Sequence, residues 1–266
     1  MKIFDLKPWS IKLNRKPDPP PAPGWPQQWH GYYLPPAHDF YTYGQLERFA
    51  LLSLFQRYAG QHVTLFELGA GRADICMALA GCCKYGLISD PPASYRALAI
   101  EAEPTHFEWC RMNVELQNLN VVLVHGAACE EMGERFFRID PDPISSFGQC
   151  ICGDRGEGSI RVPAYTVDFL RREHDFPRIN IVHMDVQGAE ANCVRGAKES
   201  IAEEAIDHFI IETHNVRWEV ELRELLSPNF DCLVNLSRDT TVEIPGLDKP
   251  CIGKGGGVQV WQRKGL

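Results

Sequence analysis

Two short stretches of this sequence place ionisable side chains directly behind apolar runs: Ile181-Val-His183-Met-Asp185-Val-Gln187-Gly188-Ala-Glu190 and Ile211-Glu212-Thr213-His214-Asn215. Each reads as a buried strand with a polar end, where groups carry a desolvation cost unless a partner or ligand meets them. Strand periodicity puts His183 and Asp185 on one face, and likewise Glu212 and His214. Asp185 or His214 has the chemistry of a general base, and Asp185, Glu212 and His214 together offer hard and borderline ligand atoms for Mg²⁺ or Mn²⁺. Either device removes the proton of a hydroxyl nucleophile. His183 reads first as a hydrogen-bonded core histidine, and Glu190 either as a first-turn helix charge or as part of the same cluster.

A second constellation is Glu67-Leu-Gly69-Ala70-Gly71-Arg-Ala-Asp74, a glycine turn between a strand and a helix that suits a nucleotide-type ligand. A dinucleotide fingerprint wants a third glycine where Asp74 stands, and a carboxylate there repels a pyrophosphate. Glu67 and Asp74 suit instead a ligand bearing an ammonium and a sulfonium, as S-adenosylmethionine does. The next strand ends Ala97-Leu-Ala-Ile-Glu101, where Glu101, with Ala102 beside it, can accept both ribose hydroxyls; Glu103 competes for that role. Gly126 and Ala127, after a third strand, are small enough for an adenine ring to lie against the backbone.

These groups need a scaffold. Leu46, Phe49, Ala50, Leu52, Leu54 and Phe55 recur at helical spacing from Tyr43 to Tyr58, ahead of Gly60. Apolar strand runs follow at Val63–Leu68, Ala97–Ile100, Val121–Val124, Ile179–Met184 and His208–Ile211, with helical stretches at Ala73–Ala80, Thr105–Leu116 and Ala189–Ile201. Strands buried on both faces and separated by helices predict an α/β fold, a doubly wound, mostly parallel Rossmann-like sheet. Phe230–Leu236 and Val258–Trp261 predict a C-terminal antiparallel strand pair at its edge, and Gly81–Arg96 reads as a long loop. Residues 1–42 hold the Pro17–Pro36 tract with Trp9, Trp25, Trp29, Tyr32 and Tyr33, an aromatic arm that packs on the body or joins a homo-oligomer; residues 43–266 form the catalytic domain.

The chain's 266 residues, 44% hydrophobic and 23% charged, supply one sizeable core. A net charge of −8 excludes an overall basic footprint and argues against nucleic acid as partner. No apolar run approaches the roughly 20 residues of a membrane span, and no secretory pattern opens the chain, so no membrane partner and a cytoplasmic setting are expected. The ten cysteines form no CxxC pair and read as reduced thiols.

From about Leu65 to His214 the residues resemble the FkbM family of S-adenosylmethionine-dependent methyltransferases. The likeness rests on Glu67-Leu-Gly-Ala-Gly71, Ile100-Glu-Ala-Glu-Pro104 with Phe107 and Asn113, Gly126-Ala-Ala128, Thr166-Val-Asp168-Phe-Leu170, Met184-Asp-Val-Gln-Gly-Ala-Glu190, Gly196-Ala197 and Ile211-Glu-Thr-His214. It implies a class I methyltransferase fold and O-methylation of a hydroxyl on a sugar, polyketide or other natural-product-like small molecule. The family's usual Glu-Pro dipeptide is here Glu101-Ala-Glu-Pro104, and the arm and the Gly81–Arg96 segment lie outside the shared pattern. The competing readings are a nicotinamide-dependent oxidoreductase, which Asp74 disfavours, and a non-catalytic cofactor-binding scaffold, which the strand-end cluster disfavours.

Overall fold

A computed structural model describes residues 43–141, 148–153, 156–242, 251–253 and 256–266. The proline and tryptophan arm, with its packing and oligomer expectations, lies outside them.

Helix α1 (Tyr43–Arg57) leads into β1 (His62–Leu68), the glycine turn and α2 (Asp74–Tyr85). Then come β2 (Ser94–Glu101), α3 (Pro104–Leu116) and β3 (Val121–His125). A small sheet follows from β4 (Ala127–Ala128), β5 (Gly133–Arg138), β6 (Ile151–Cys152) and β7 (Ser159–Tyr165), and α4 (Val167–Glu173) returns the chain to β8 (Ile179–Met184). The remainder is α5 (Glu190–Arg195), α6 (Lys198–Ala202), β9 (Ile206–Thr213), α7 (Val216–Leu226), β10 (Phe230–Leu236), the short pair β11 (Thr241–Val242) and β12 (Cys251–Ile252), and β13 (Gly257–Arg263).

The main sheet has seven strands in the order β10-β13-β9-β8-β1-β2-β3. Its centre is parallel, and β13 runs antiparallel to both neighbours. This is the class I methyltransferase arrangement. Leu65 and Phe66, both 0% exposed, show why the strands read as unbroken apolar runs: they point into opposite core layers. One layer packs Leu51, Phe55 and Leu79, and the other Leu170, Leu222 and Trp261. Each such side chain contributes about 1.5–3 kcal/mol by leaving water.

Several boundaries differ from the sequence-based expectation. The Gly81–Arg96 segment is shorter as a loop, because α2 continues to Tyr85 and β2 begins at Ser94. Helix α2 stops where Gly86 adopts φ 62° and returns its N–H to the Cys82 carbonyl. The stretch Ala189–Ile201 is two helices, α5 and α6, separated at Gly196-Ala197. Gly196 lies so close to the Cys129 carbonyl that a Cβ would come within 2.2 Å of its oxygen. Of the C-terminal pair only β10 lies at an edge: β13 slots between β9 and β10, so Gly257–Trp261 is buried while β10 exposes Asp231 and Cys232. The β4-β7-β5-β6 sheet and α7 have no counterpart in the expected elements. The strands of that sheet are short or, in β5 and β7, half-exposed, so they lack the doubly buried apolar signature.

Candidate active site

Ligands of open parallel sheets bind at the carboxyl ends of the strands. Here a cavity of about 250 Å³ lies along that rim. All ten residues expected to bind cofactor line it: Glu67, Gly69, Ala70, Gly71, Asp74, Glu101, Ala102, Gly126, Ala127 and Asp185. Strand order sets their sequence in space, from Gly126-Ala127 after β3, past Glu101 on β2 and the turn after β1, to Asp185 after β8 and Glu212 on β9. Neighbouring strands are about 4.8 Å apart, so those four steps span about 19 Å.

The turn is shaped by close approach. Gly69 has φ 77°, and a Cβ there would sit 1.9 Å from the Asp185 carbonyl oxygen. Glu67 is 2% exposed, and its two oxygens accept the N–H groups of Ile75 (3.0 Å) and Cys76 (2.9 Å). That carboxylate therefore fastens the first turn of α2 to the end of β1, and burial raises it to about pKa 7. Asp74 opens α2 with Arg72 beside it at 3.8 Å. Gly126 is pressed by the small sheet, with Pro163 O and Tyr165 Cε2 where a Cβ would go.

Glu101 and Glu103 have separate surroundings. Glu101 lines the cavity while accepting the Gly71 N–H at 2.7 Å and the Glu103 N–H at 2.8 Å. Glu103 is the N-cap of α3, accepting the His106 N–H at 2.6 Å, and is not among the cavity-lining residues.

Asp185, Glu212 and His214 come together, with ligand atoms all within 4.8 Å of one another. His214 stands behind Asp185 and does not line the cavity: its Nε2 is 3.4 Å from Asp185 Oδ1, and its Nδ1 is 2.8 Å from Glu190 Oε1. Glu190 opens α5, is 0% exposed, and accepts the Gly188 N–H at 2.9 Å, so it belongs to the cluster and is no solvated helix charge. Burial alone would lower the His214 pKa, but the Glu190 hydrogen bond and the charges of Asp185 and Glu190 outweigh it and raise the value. Glu212 is buried beside Glu47 and Asp185, and burial with those charges holds its proton far above the usual carboxylate range.

Several contributors escaped the sequence reading, Glu47, Phe137, Gln149 and Ile151 among them. Glu47 of α1 lines the cavity and is bonded to His183 Nε2. Its signal was present: it falls on the same helical stripe as the fully buried Leu51 and Leu54, where a carboxylate needs a reason. Phe137, Gln149 and Ile151 come from the small sheet and its connections and close the cavity beside Ala102 and Ala127. Their short or half-exposed strands gave no comparable signal. His183 is buried, hydrogen-bonded and also cavity-lining.

Solved structures of similar shape include precorrin-6y C5,15-methyltransferase from Geobacter metallireducens GS-15, at 13% identity and TM-score 0.41 over 83% of this chain and 88% of that one. TrmK of M. capricolum, solved with S-adenosyl-homocysteine, matches at 11% identity and TM-score 0.42 over 81% and 68%. The methyltransferase FkbM from Methylobacillus flagellatus KT matches at 13% identity and TM-score 0.47 over 76% of this chain and 43% of that one. This chain thus spans less than half the length of that last structure. No curated protein matches it. The description "Methyltransferase FkbM domain" fits residues 83–235, more than half of the 266 residues and the part that carries Glu101, Asp185, Glu212 and His214, and the chain belongs to the FkbM methyltransferase family.

Proposed function

We propose that this methyltransferase transfers the methyl group of S-adenosylmethionine to a hydroxyl oxygen of a small molecule. The observation that carries the reading is the chain Glu190–His214–Asp185, which starts at a fully buried carboxylate and ends in the cavity beside the Gly69–Gly71 turn.

The residues fit the cofactor along the rim. Ala102, Gly126, Ala127 and Phe137 offer an apolar slot for adenine, Glu101 two carboxylate oxygens for the ribose, and the glycine turn a close backbone surface. Bound there, S-adenosylmethionine supplies an electrophilic methyl group on a sulfonium. Asp185, at the far side of the turn, would take the proton of the acceptor hydroxyl that receives this methyl group. Burial raises the Asp185 pKa, His214 between its two carboxylates opposes that rise, and Glu190 fixes the imidazole's orientation. A net charge of −8 and an acidic acceptor end favour a neutral or cationic small molecule over a polyanion.

A second reading of the same end has its own observation, the 4.8 Å grouping of Asp185, Glu212 and His214. A divalent Mg²⁺ or Mn²⁺ held by these three would lower the hydroxyl's pKa. Methyl transfer that survives exhaustive chelation with no added divalent ion would exclude it.

Labelled S-adenosylmethionine offered with a panel of sugar and polyketide alcohols, and with RNA, tests the main reading. Incorporation into an alcohol supports it, while label in RNA alone overturns the acceptor class. Calorimetry with S-adenosyl-homocysteine tests the ribose contact: Glu101→Ala should weaken binding by tenfold or more, on the order of 1.4 kcal/mol. Binding of NAD in its place would favour an oxidoreductase.

A further inference from the structure

Helix α1 precedes the residues that define the family, yet it delivers a carboxylate into the cavity. Glu47 is 5% exposed and holds two residues from the strand ends. It is bonded to His183 Nε2 and lies in hydrogen-bond contact with Glu212. Glu47 and Glu212 thus bring two carboxyl groups to one end of the cavity. His183 Nε2 meets the Glu47 carboxyl, while its Nδ1 is buried without a partner among the described residues.

Asp185 adds a further carboxylate beside the pair, and Glu67 stands on the adjacent strand β1, paired in register with His183. Arg48 lines the same cavity one residue along α1. Carboxylates buried together at one end of a cavity are costly, and a cation entering the cavity relieves that cost. With ribose at Glu101, a sulfonium reaching past the β1 turn would face this end of the cavity.

We propose that Glu47 is a specificity-determining residue for the cofactor's charged centre: with Glu212 it makes the acceptor end of the cavity prefer a sulfonium over an uncharged thioether. This rests on the S-adenosylmethionine reading above. When the methyl leaves, the carbon–sulfur bonding pair stays on sulfur and the sulfur becomes neutral. The site then loses its electrostatic hold on the product, which favours its exchange for fresh cofactor.

The test is calorimetric and needs no acceptor. Affinities for S-adenosylmethionine and S-adenosyl-homocysteine are measured on the full chain, on Glu47→Gln and on Glu47→Ala. Glu47→Gln keeps an oxygen for His183 and offers an N–H to Glu212, and thermal unfolding with and without ligand reports whether each variant folds. The wild type should bind the cation more tightly than the thioether. Glu47→Gln should cut that preference by about tenfold while leaving the thioether affinity within about twofold. An unchanged ratio, whether both affinities fall together or neither moves, overturns the role of Glu47. If the wild type binds neither ligand, the cofactor reading fails and this proposal with it.

Discussion

His214 is held from behind by Glu190: Nδ1 lies 2.8 Å from the Oε1 of a carboxylate that is 0% exposed, and the free end of the ring points to Asp185. Glu190 sits at the start of α5, so a helix terminus and a strand end converge on one imidazole. The arrangement leaves the ring little rotational freedom.

Replacing Glu190 with Gln removes a charge that raises the His214 pKa while keeping a hydrogen-bonding side chain. On the proposed mechanism, the charged form of His214, which opposes the burial that raises the Asp185 pKa, then persists only to a lower pH. Methyl transfer to an acceptor alcohol should fall by about 10- to 100-fold near neutral pH. The alkaline limb of its pH profile should move toward acid. A wild-type profile in this variant would remove Glu190 from the mechanism.

The glycine turn gives a paired test of packing against local conformation. Gly69 and Gly86 both have positive φ, at 77° and 62°. A Cβ on Gly69 would collide with the Asp185 carbonyl, whereas among the described residues nothing lies within 4 Å of the corresponding position on Gly86. Gly86→Ala should cost about 1 kcal/mol, the conformational term alone. Gly69→Ala should cost at least about 2 kcal/mol more and weaken S-adenosyl-homocysteine binding, since β1 and β8 must part at the cavity. Urea unfolding and calorimetry on the two variants separate these outcomes; equal costs would show that the contact with Asp185 is easily relieved.

The sheet was legible because β1, β2, β8 and β9 are buried on both faces, and such strands appear in sequence as continuous apolar runs. Glu101 and Asp185 were legible because a polar residue ending such a run needs a partner. The order of β13 and β10 was not, since two antiparallel strands at the end of a chain fit the sheet edge in either order. Glu67 lines the cavity, and only the fold shows that its oxygens also hold the N-terminus of α2. Glu47 was hidden because its partners, His183 and Glu212, lie more than a hundred residues away, and only the fold brings them together.

Among the family-like motifs, Thr166-Val-Asp168 proves structural. Thr166 caps α4 through the Phe169 N–H, and Asp168 takes the N–H groups of Glu199 and Ser200 and the Ser200 hydroxyl at the start of α6. Asp168→Ala leaves three donors without this acceptor and should lower stability by about 2–3 kcal/mol. Affinity for S-adenosyl-homocysteine should stay within about twofold at temperatures where the variant is folded, because Asp168 does not line the cavity. Loss of affinity without loss of stability would contradict that assignment.

The far end of β9 should set an acid limit on stability. His208 is 0% exposed, with its Nδ1 3.2 Å from the Tyr58 hydroxyl, and burial pushes its pKa down to about 4 from the ordinary 6.5. An unfolded chain takes up this proton near pH 6.5, and the folded chain only near pH 4, so acid favours unfolding between those values. The contribution is complete above pH 6.5 and is lost as pH falls toward 4, a loss on the order of 3 kcal/mol. Glu47 and Glu67 act in the opposite sense: raised to about 7, they favour the folded state at low pH and lose that contribution as pH rises through 7. The comparison must therefore be differential. His208→Phe keeps an aromatic ring in the core and leaves Tyr58 its contact with Asp207 at 3.2 Å. Urea unfolding from about pH 7 down to about pH 5 should show the wild type losing more stability than this variant. Parallel curves would mean that the folded protein accommodates a charged His208.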